Sequence, residues 1–251
     1  MKRILFLLIL FAWFSSSDIF SQQSTTIPIP KINVDVGTAD NPKDVAVTLQ
    51  ILLLMTILSL APSIIIMTTS YLRIIIAFHF LRNALGTMQM PPNQVLAGLA
   101  LFLTVFIMNP TINKINDTAL QPYLDGKITL DSASTNAINP MREFMLKQTR
   151  EEDLAMFISF NEMPKPQSRQ DIPIFILIPS FVISELRAGF IIGFFLFIPF
   201  LMIDMIVSSI LMSMGMMMIP PMMVALPFKI LLFVLVDGWN LVVSSLLRSF
   251  A

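Results

Sequence analysis

Residues 172–221 read IPIFILIPSFVISELRAGFIIGFFLFIPFLMIDMIVSSILMSMGMMMIPP. The apolar run that opens this stretch, Ile172 to Ile203, holds about thirty residues, too many for one untilted crossing of a ~30 Å hydrocarbon layer and too few for two. It carries Glu185, Arg187 and, just past its end, Asp204 among Ile, Phe and Leu, then enters a methionine-rich tract closed by Pro220 and Pro221. A helix that does more than span is expected here.

The rest of the chain has the same oily character. Of 251 residues 55% are hydrophobic and 13% charged, which departs from an ordinary soluble domain toward a membrane protein. Sixteen basic and sixteen acidic residues leave no basic face for nucleic acid, so protein and lipid are the expected partners. With no cysteine there are no disulfides or thiolate metal sites, and no cofactor is expected.

Upstream, Lys2 and Arg3 precede an apolar run from Ile4 to Phe14 and then Ser15, Ser16 and Ser17, the pattern of a secretory signal peptide over 1–21. An uncleaved anchor is the competing reading, weakened by a run shorter than the ~20 residues of a span. Residues 22–44 are polar and punctuated by proline, and read as an extended mature N-terminus. A first helical hairpin is expected over 45–112, with a spanning-length run from Val45 to Met67 and a second run from Val95 that ends near Asn109-Pro110. Between them, YLRIIIAFHFLRNALG (71–86) places Arg73 and Arg82 in a stretch without acids, which the positive-inside rule assigns to the cytoplasm. Residues 113–171 are rich in Asp, Asn, Lys, Glu and Gln and read as a water-facing helical insertion, periplasmic in that orientation. A second hairpin occupies 172–251, its last run extending from Met222 to Leu247. Both hairpins turn at a Met-Pro-Pro junction: Gly86 aligns with Gly215, and Pro91-Pro92 with Pro220-Pro221, a hint of internal duplication.

Charges within apolar runs are the most informative residues: Arg73, Arg82, Glu185, Arg187, Asp204, Lys229 and Asp237. A charge at a bilayer centre costs about 2.5–3.5 kcal/mol on insertion scales, so lipid is not their environment. Glu185 and Arg187 lie roughly 200° apart around a helix, and Lys229 and Asp237 are separated by about 12 Å of rise. Neither couple pairs internally, so partners on other helices or other subunits are expected. A proton relay is the functional alternative, and snorkelling to an interface a third. His79, the only histidine, has no second metal ligand nearby and reads as a packed or interfacial residue.

Met212, Met214, Met216, Met217 and Met218 surround Gly215. Thioether side chains are unbranched and deformable, so a ring of them would seal around an irregular object and still open, while Gly215 and Pro220-Pro221 break the helix. The competing reading is core filler at a hairpin tip. Consecutive methionines cover every face of a helix, which one-sided packing does not explain.

The strings 71–110 and 178–239, together with the leader, resemble the FliP/SctR family of type III export-gate proteins, the leader favouring the flagellar branch. The resemblance covers about Val45 to Trp239. It implies an all-α fold of membrane-associated hairpins assembling into an oligomeric helical pore in the inner membrane at the flagellar basal body. It further implies a homo-oligomer, a pentamer in the family, with FliR and FliQ; FlhB and FlhA as neighbours; FliO as an assembly factor; and unfolded flagellar subunits as cargo. The family's Met-rich loop closes the pore, and it maps onto Met212–Met218. An injectisome-type gate subunit and a proton-coupled transporter are the alternatives. No His-Glu-x-x-His, Gly-x-Ser-x-Gly or P-loop pattern is present, so an enzyme is not expected.

Overall fold

The computed structural model describes residues 42–87, 89–161, 168–216 and 218–250, and among these the fold is entirely helical. The leader and residues 22–41 lie outside the described residues. The chain divides after Ile51 into two units, and of the first only the opening turns of helix α1 are described. Apart from the start of α1, everything below concerns the second unit, Leu52–Ala251.

Helix α1 covers Pro42–Thr68, and its large side chains from Leu52 to Met67 stand exposed. Two of its hydroxyls return to their own backbone: Thr56 Oγ1 donates to the Leu52 carbonyl at 2.8 Å and Thr68 Oγ1 to that of Ile64 at 2.9 Å. Such bonding satisfies these two hydroxyls without water, which suits a helix in an apolar environment.

Helices α2 (Tyr71–Leu85) and α7 (Ile174–Ser213) form the spine. Ile74, Ala77, Phe78 and Leu81 recur at helical spacing along one face of α2 and are almost fully buried. They pack with Leu96 and Ala100 of α3 (Asn93–Ile115), Phe200 of α7, Phe233 of α8 (Pro221–Leu235), and Val242 and Leu246 of α9 (Gly238–Arg248). Burying each large side chain contributes about 1.5–3 kcal/mol relative to water. The close approach of α2 to α7 depends on a small-residue seam. A Cβ at Gly193 would lie 2.5 Å from Phe80 Cγ, and one at Gly189 would lie 3.1 Å from Ile76 Cβ. Small residues four apart let two backbones pack where lipid offers no hydrophobic drive.

Three apolar runs end differently from their sequence reading. The second does not stop at Asn109-Pro110: α3 continues to Ile115, passes through a π-helical turn (Asn116–Leu120) and extends into α4 (Gln121–Leu124). Proline removes a single donor, and in an apolar helix the freed carbonyl is re-satisfied locally. Likewise α7 runs through Pro179 and Pro199 for 40 residues, some 60 Å, about twice a hydrocarbon thickness. The last run is not one helix: α8 and α9 meet at 64°, because Asp237 adopts a left-handed conformation (φ 49°) and Gly238 lies against the Phe233 ring, where no Cβ fits. Spacing Lys229 and Asp237 along a common helix axis therefore does not apply.

Residues 113–171 pack onto the spine. Met145 of α5 (Leu130–Gln148) and Leu154 of α6 (Glu151–Phe160) close over Ile172, Ile176, Leu177 and Phe181 in a second core cluster. Helix α5 starts at an N-cap, Thr129, whose hydroxyl accepts from the Ser132 amide. The first half of α7 is thus covered by amphipathic helices, whereas farther along it Phe194, Phe195, Met202 and Met205 are exposed.

Candidate functional site

One buried ion pair, one part-buried pair and one exposed loop define the candidate site. At one end of α2, Arg73 (4% exposed) meets Glu185 of α7 (0% exposed). Its Nε donates to Glu185 Oε2 at 2.9 Å and Nη2 donates to Oε1. Nη2 also donates to Gln148 Oε1 of α5 at 3.0 Å, while Nη1 donates to the Ser249 carbonyl at 2.7 Å and to Ser249 Oγ at 3.1 Å. Every N–H of the guanidinium has an acceptor, and its carbon sits 3.8 Å from the centre of the Phe250 ring. Saturation of this kind is what makes a desolvated charge tolerable, since an incompletely bonded one costs several kcal/mol. Gln148, Ser249 and Phe250 carried no signal in the local pattern, because they join the site only through long-range packing.

At the other end of α2, Lys229 of α8 (2% exposed) donates from Nζ to Asp204 Oδ2 of α7 at 2.6 Å and to the Ala84 carbonyl at 3.0 Å. The Ala84 carbonyl belongs to the last turn of α2, where helix carbonyls lack intrahelical partners and a cation is favoured by the helix dipole. Lys229 thereby ties both hairpins together. The second carboxylate oxygen of Asp204 is buried without a hydrogen bond.

The remaining charged candidates lie elsewhere. Arg187 is half exposed and reaches Glu152 of α6 at 3.7 Å, a surface pair of small energetic weight. Arg82 donates to Asn93 Oδ1, lies 3.3 Å from His79 Nδ1, and has no carboxylate partner among the described residues. Asp237 accepts from Asn240 Nδ2 at 3.2 Å. Placing Arg73 inside the protein removes it from the loop charges that oriented the chain, leaving Arg82 alone there. Among the described residues no group of three His, Asp or Glu is placed to hold a metal ion.

The methionine tract connects α7 to α8. Gly215 is left-handed (φ 74°), the Met216 amide donates to the Leu211 carbonyl at 3.0 Å and the Gly215 amide to that of Met212 at 3.0 Å, a closed αL termination. Pro220 then caps α8 and Pro221 occupies its first turn, where a proline costs no hydrogen bond. The first junction is built alike, with Gly86 at φ 73° and Pro92 capping α3 after Pro91. Between these anchors Met212 is 66% exposed, Met214 58%, Met216 42% and Met218 98%. Met217 lies outside the described residues. Below the loop Val207, Leu211 and Ala225 bind α7 to α8, and an apolar hollow of about 380 Å³ opens between Ile206, Ile210, Met214 and Phe228.

The family model described as the FliP family matches residues 54–246. The chain belongs to the FliP family. Its FliP relatives include the flagellar biosynthetic protein FliP of Bacillus subtilis, 56% identical over 86% of this chain and 98% of the relative. That of Caulobacter vibrioides is 49% identical over 87% of this chain and 82% of the relative. That of Aquifex aeolicus is 47% identical over the full length of both. All of α2, α3, α7 and α8, and with them both ion pairs and the methionine tract, fall inside the FliP match.

Proposed function

We propose that this chain is a pore-forming core subunit of the flagellar type III protein export gate, through which unfolded flagellar subunits cross the inner membrane. The observation that carries the reading is the methionine loop: rigidly held at both legs, yet presenting Met212, Met214 and Met218 away from their own protomer. A lone subunit gains nothing from exposing flexible apolar side chains, whereas several copies around an axis would bring the loops together as a compliant seal. The extensive bare apolar surface of α1, α3 and the far half of α7 supports contact with neighbouring subunits and lipid. Family membership supports a homo-oligomer with FliR and FliQ, beside FlhB and FlhA, with FliO acting in assembly. The 113–171 helices then lie on the periplasmic side.

Deleting Met216 to Met218 in cells tests the proposal. The expected result is increased membrane conductance to small ions with part of the export retained. Unchanged conductance in an assembled gate would overturn the seal. Purified material that runs only as a monomer would overturn the pore.

A further inference from the structure

Helix α9 has two unlike faces. Gly238, Val242 and Leu246 are buried, and opposite them Asp237, Asn240, Ser244 and Arg248 form a polar stripe along the helix, interrupted only by Leu241. Neighbours along the stripe bond in series: Asn240 Nδ2 donates to Asp237 Oδ2 at 3.2 Å and Ser244 Oγ donates to Asn240 Oδ1 at 3.0 Å. The two charges at its ends are uncompensated. Asp237 meets no cation, and Arg248 has neither carboxylate nor hydrogen-bond partner among the described residues. Both are exposed.

Such a stripe needs water. Hydrocarbon over either charge would leave it desolvated and unpaired, and a docked apolar helix would strand them equally. Yet α8 and α9 together are apolar enough to form a broken membrane span. Irregular or polar backbone at that depth is tolerated where it borders an aqueous cavity within protein. Helix α8 travels about 22 Å from the methionine loop before the bend, and α9 about 16 Å further, to Ser249 at the Arg73 cluster beside α5.

We infer that the α9 stripe lines the water-filled part of the conduit beyond the methionine loop, on the side of residues 113–171, where an unfolded exported chain slides past. This rests on the pore reading above. Short hydroxyl and amide groups bonded to each other offer a moving polypeptide no apolar anchor, and charges of both signs favour no one cargo sequence. The left-handed Asp237 sets the 64° bend that gives this stretch its own direction.

The chain contains no cysteine, so single cysteines report cleanly. Ser244→Cys, with Asn240→Cys in its place should the first fail to assemble, is compared with Met216→Cys in motile cells. Each is exposed to a membrane-impermeant methanethiosulfonate sulfonate, and to a short bismaleimide with an exported subunit stalled by a folded fusion and carrying one cysteine. The expected result is labelling of Ser244→Cys and cross-linking of both positions to the stalled chain. Labelling without a cross-link at Ser244, while Met216→Cys cross-links, would place the stripe in bulk water and overturn the inference. Absence of labelling at both stripe positions would overturn it as well. Failure of Met216→Cys to cross-link would sink the pore reading itself, and the inference with it.

Discussion

Gly86 and Gly215 end their helices in the same left-handed conformation, φ 73° and 74°, each five residues before the first proline of a Pro-Pro pair. The two hairpins therefore reverse by one device. A side chain at this φ costs about 1–2 kcal/mol. Nothing lies within 4 Å of a Cβ at Gly215, so Gly215→Ala should show that conformational cost alone. At Gly86 the Cβ would meet Lys229 Nζ and Met222 Cγ only at 4.0 Å, an ordinary van der Waals contact, so Gly86→Ala should cost about the same. Denaturant unfolding of the detergent-solubilised protein checks both, and an unchanged midpoint for either variant contradicts the account.

The Arg73 cluster predicts strong non-additivity. Glu185→Ala strands a buried guanidinium, and Arg73→Ala strands a buried carboxylate, so each should cost about 3–5 kcal/mol. The double variant should cost clearly less than the sum. A double-mutant cycle measured on unfolding gives the coupling directly, and additive losses would mean that the pair contributes nothing.

Lys229 and Asp204 should respond unequally. The Lys229 side chain is 3% exposed and that of Asp204 33%, so Asp204 is the less confined of the two when its partner is removed. Asp204→Ala, which leaves a buried ammonium on the Ala84 carbonyl alone, should cost about 3–5 kcal/mol and Lys229→Met distinctly less. Assembly yield and unfolding midpoint of the two variants report the order, and the reverse order would refute it.

Gly193→Ala pushes a methyl group into Phe80, and overpacking of this kind costs about 1–3 kcal/mol. Adding Phe80→Ala should recover part of the loss, although Phe80→Ala alone is itself destabilising because its ring stacks edge-on against Phe190. Absence of any rescue in the paired variant would show that α2 and α7 do not meet through this seam.

Composition and run length alone make the all-helical, membrane-capable character of the chain legible, because a long continuous apolar run in lipid must satisfy its backbone within its own segment, as a helix does. Gly86 and the Met-Pro-Pro tracts mark the hairpin turns for an equally local reason. The length of α7 is not legible in the same way: proline at 179 and 199 argues locally for interruption, and only packing against α5 and α6 near the first and against α2 and α8 near the second accompanies the helix through both. Spacing forbids Glu185 from pairing with Arg187, but it carries nothing of Gln148, Ser249 or the Phe250 ring, whose arrival depends on the fold. The Gly189–Gly193 spacing is visible in the string, and its role rests on Phe80, more than a hundred residues earlier. Asp237 misleads because an aspartate before glycine inside an oily segment looks like an embedded acid, whereas the backbone itself turns there.

The acceptors around Arg73 stand 75, 112 and 176 positions later in the chain, in Gln148, Glu185 and Ser249. A nascent polypeptide leaving the ribosome thus presents this cation long before its last acceptor has been synthesised. Closure of that end of the bundle is therefore a late event, complete only once the residue that follows α9 has been synthesised.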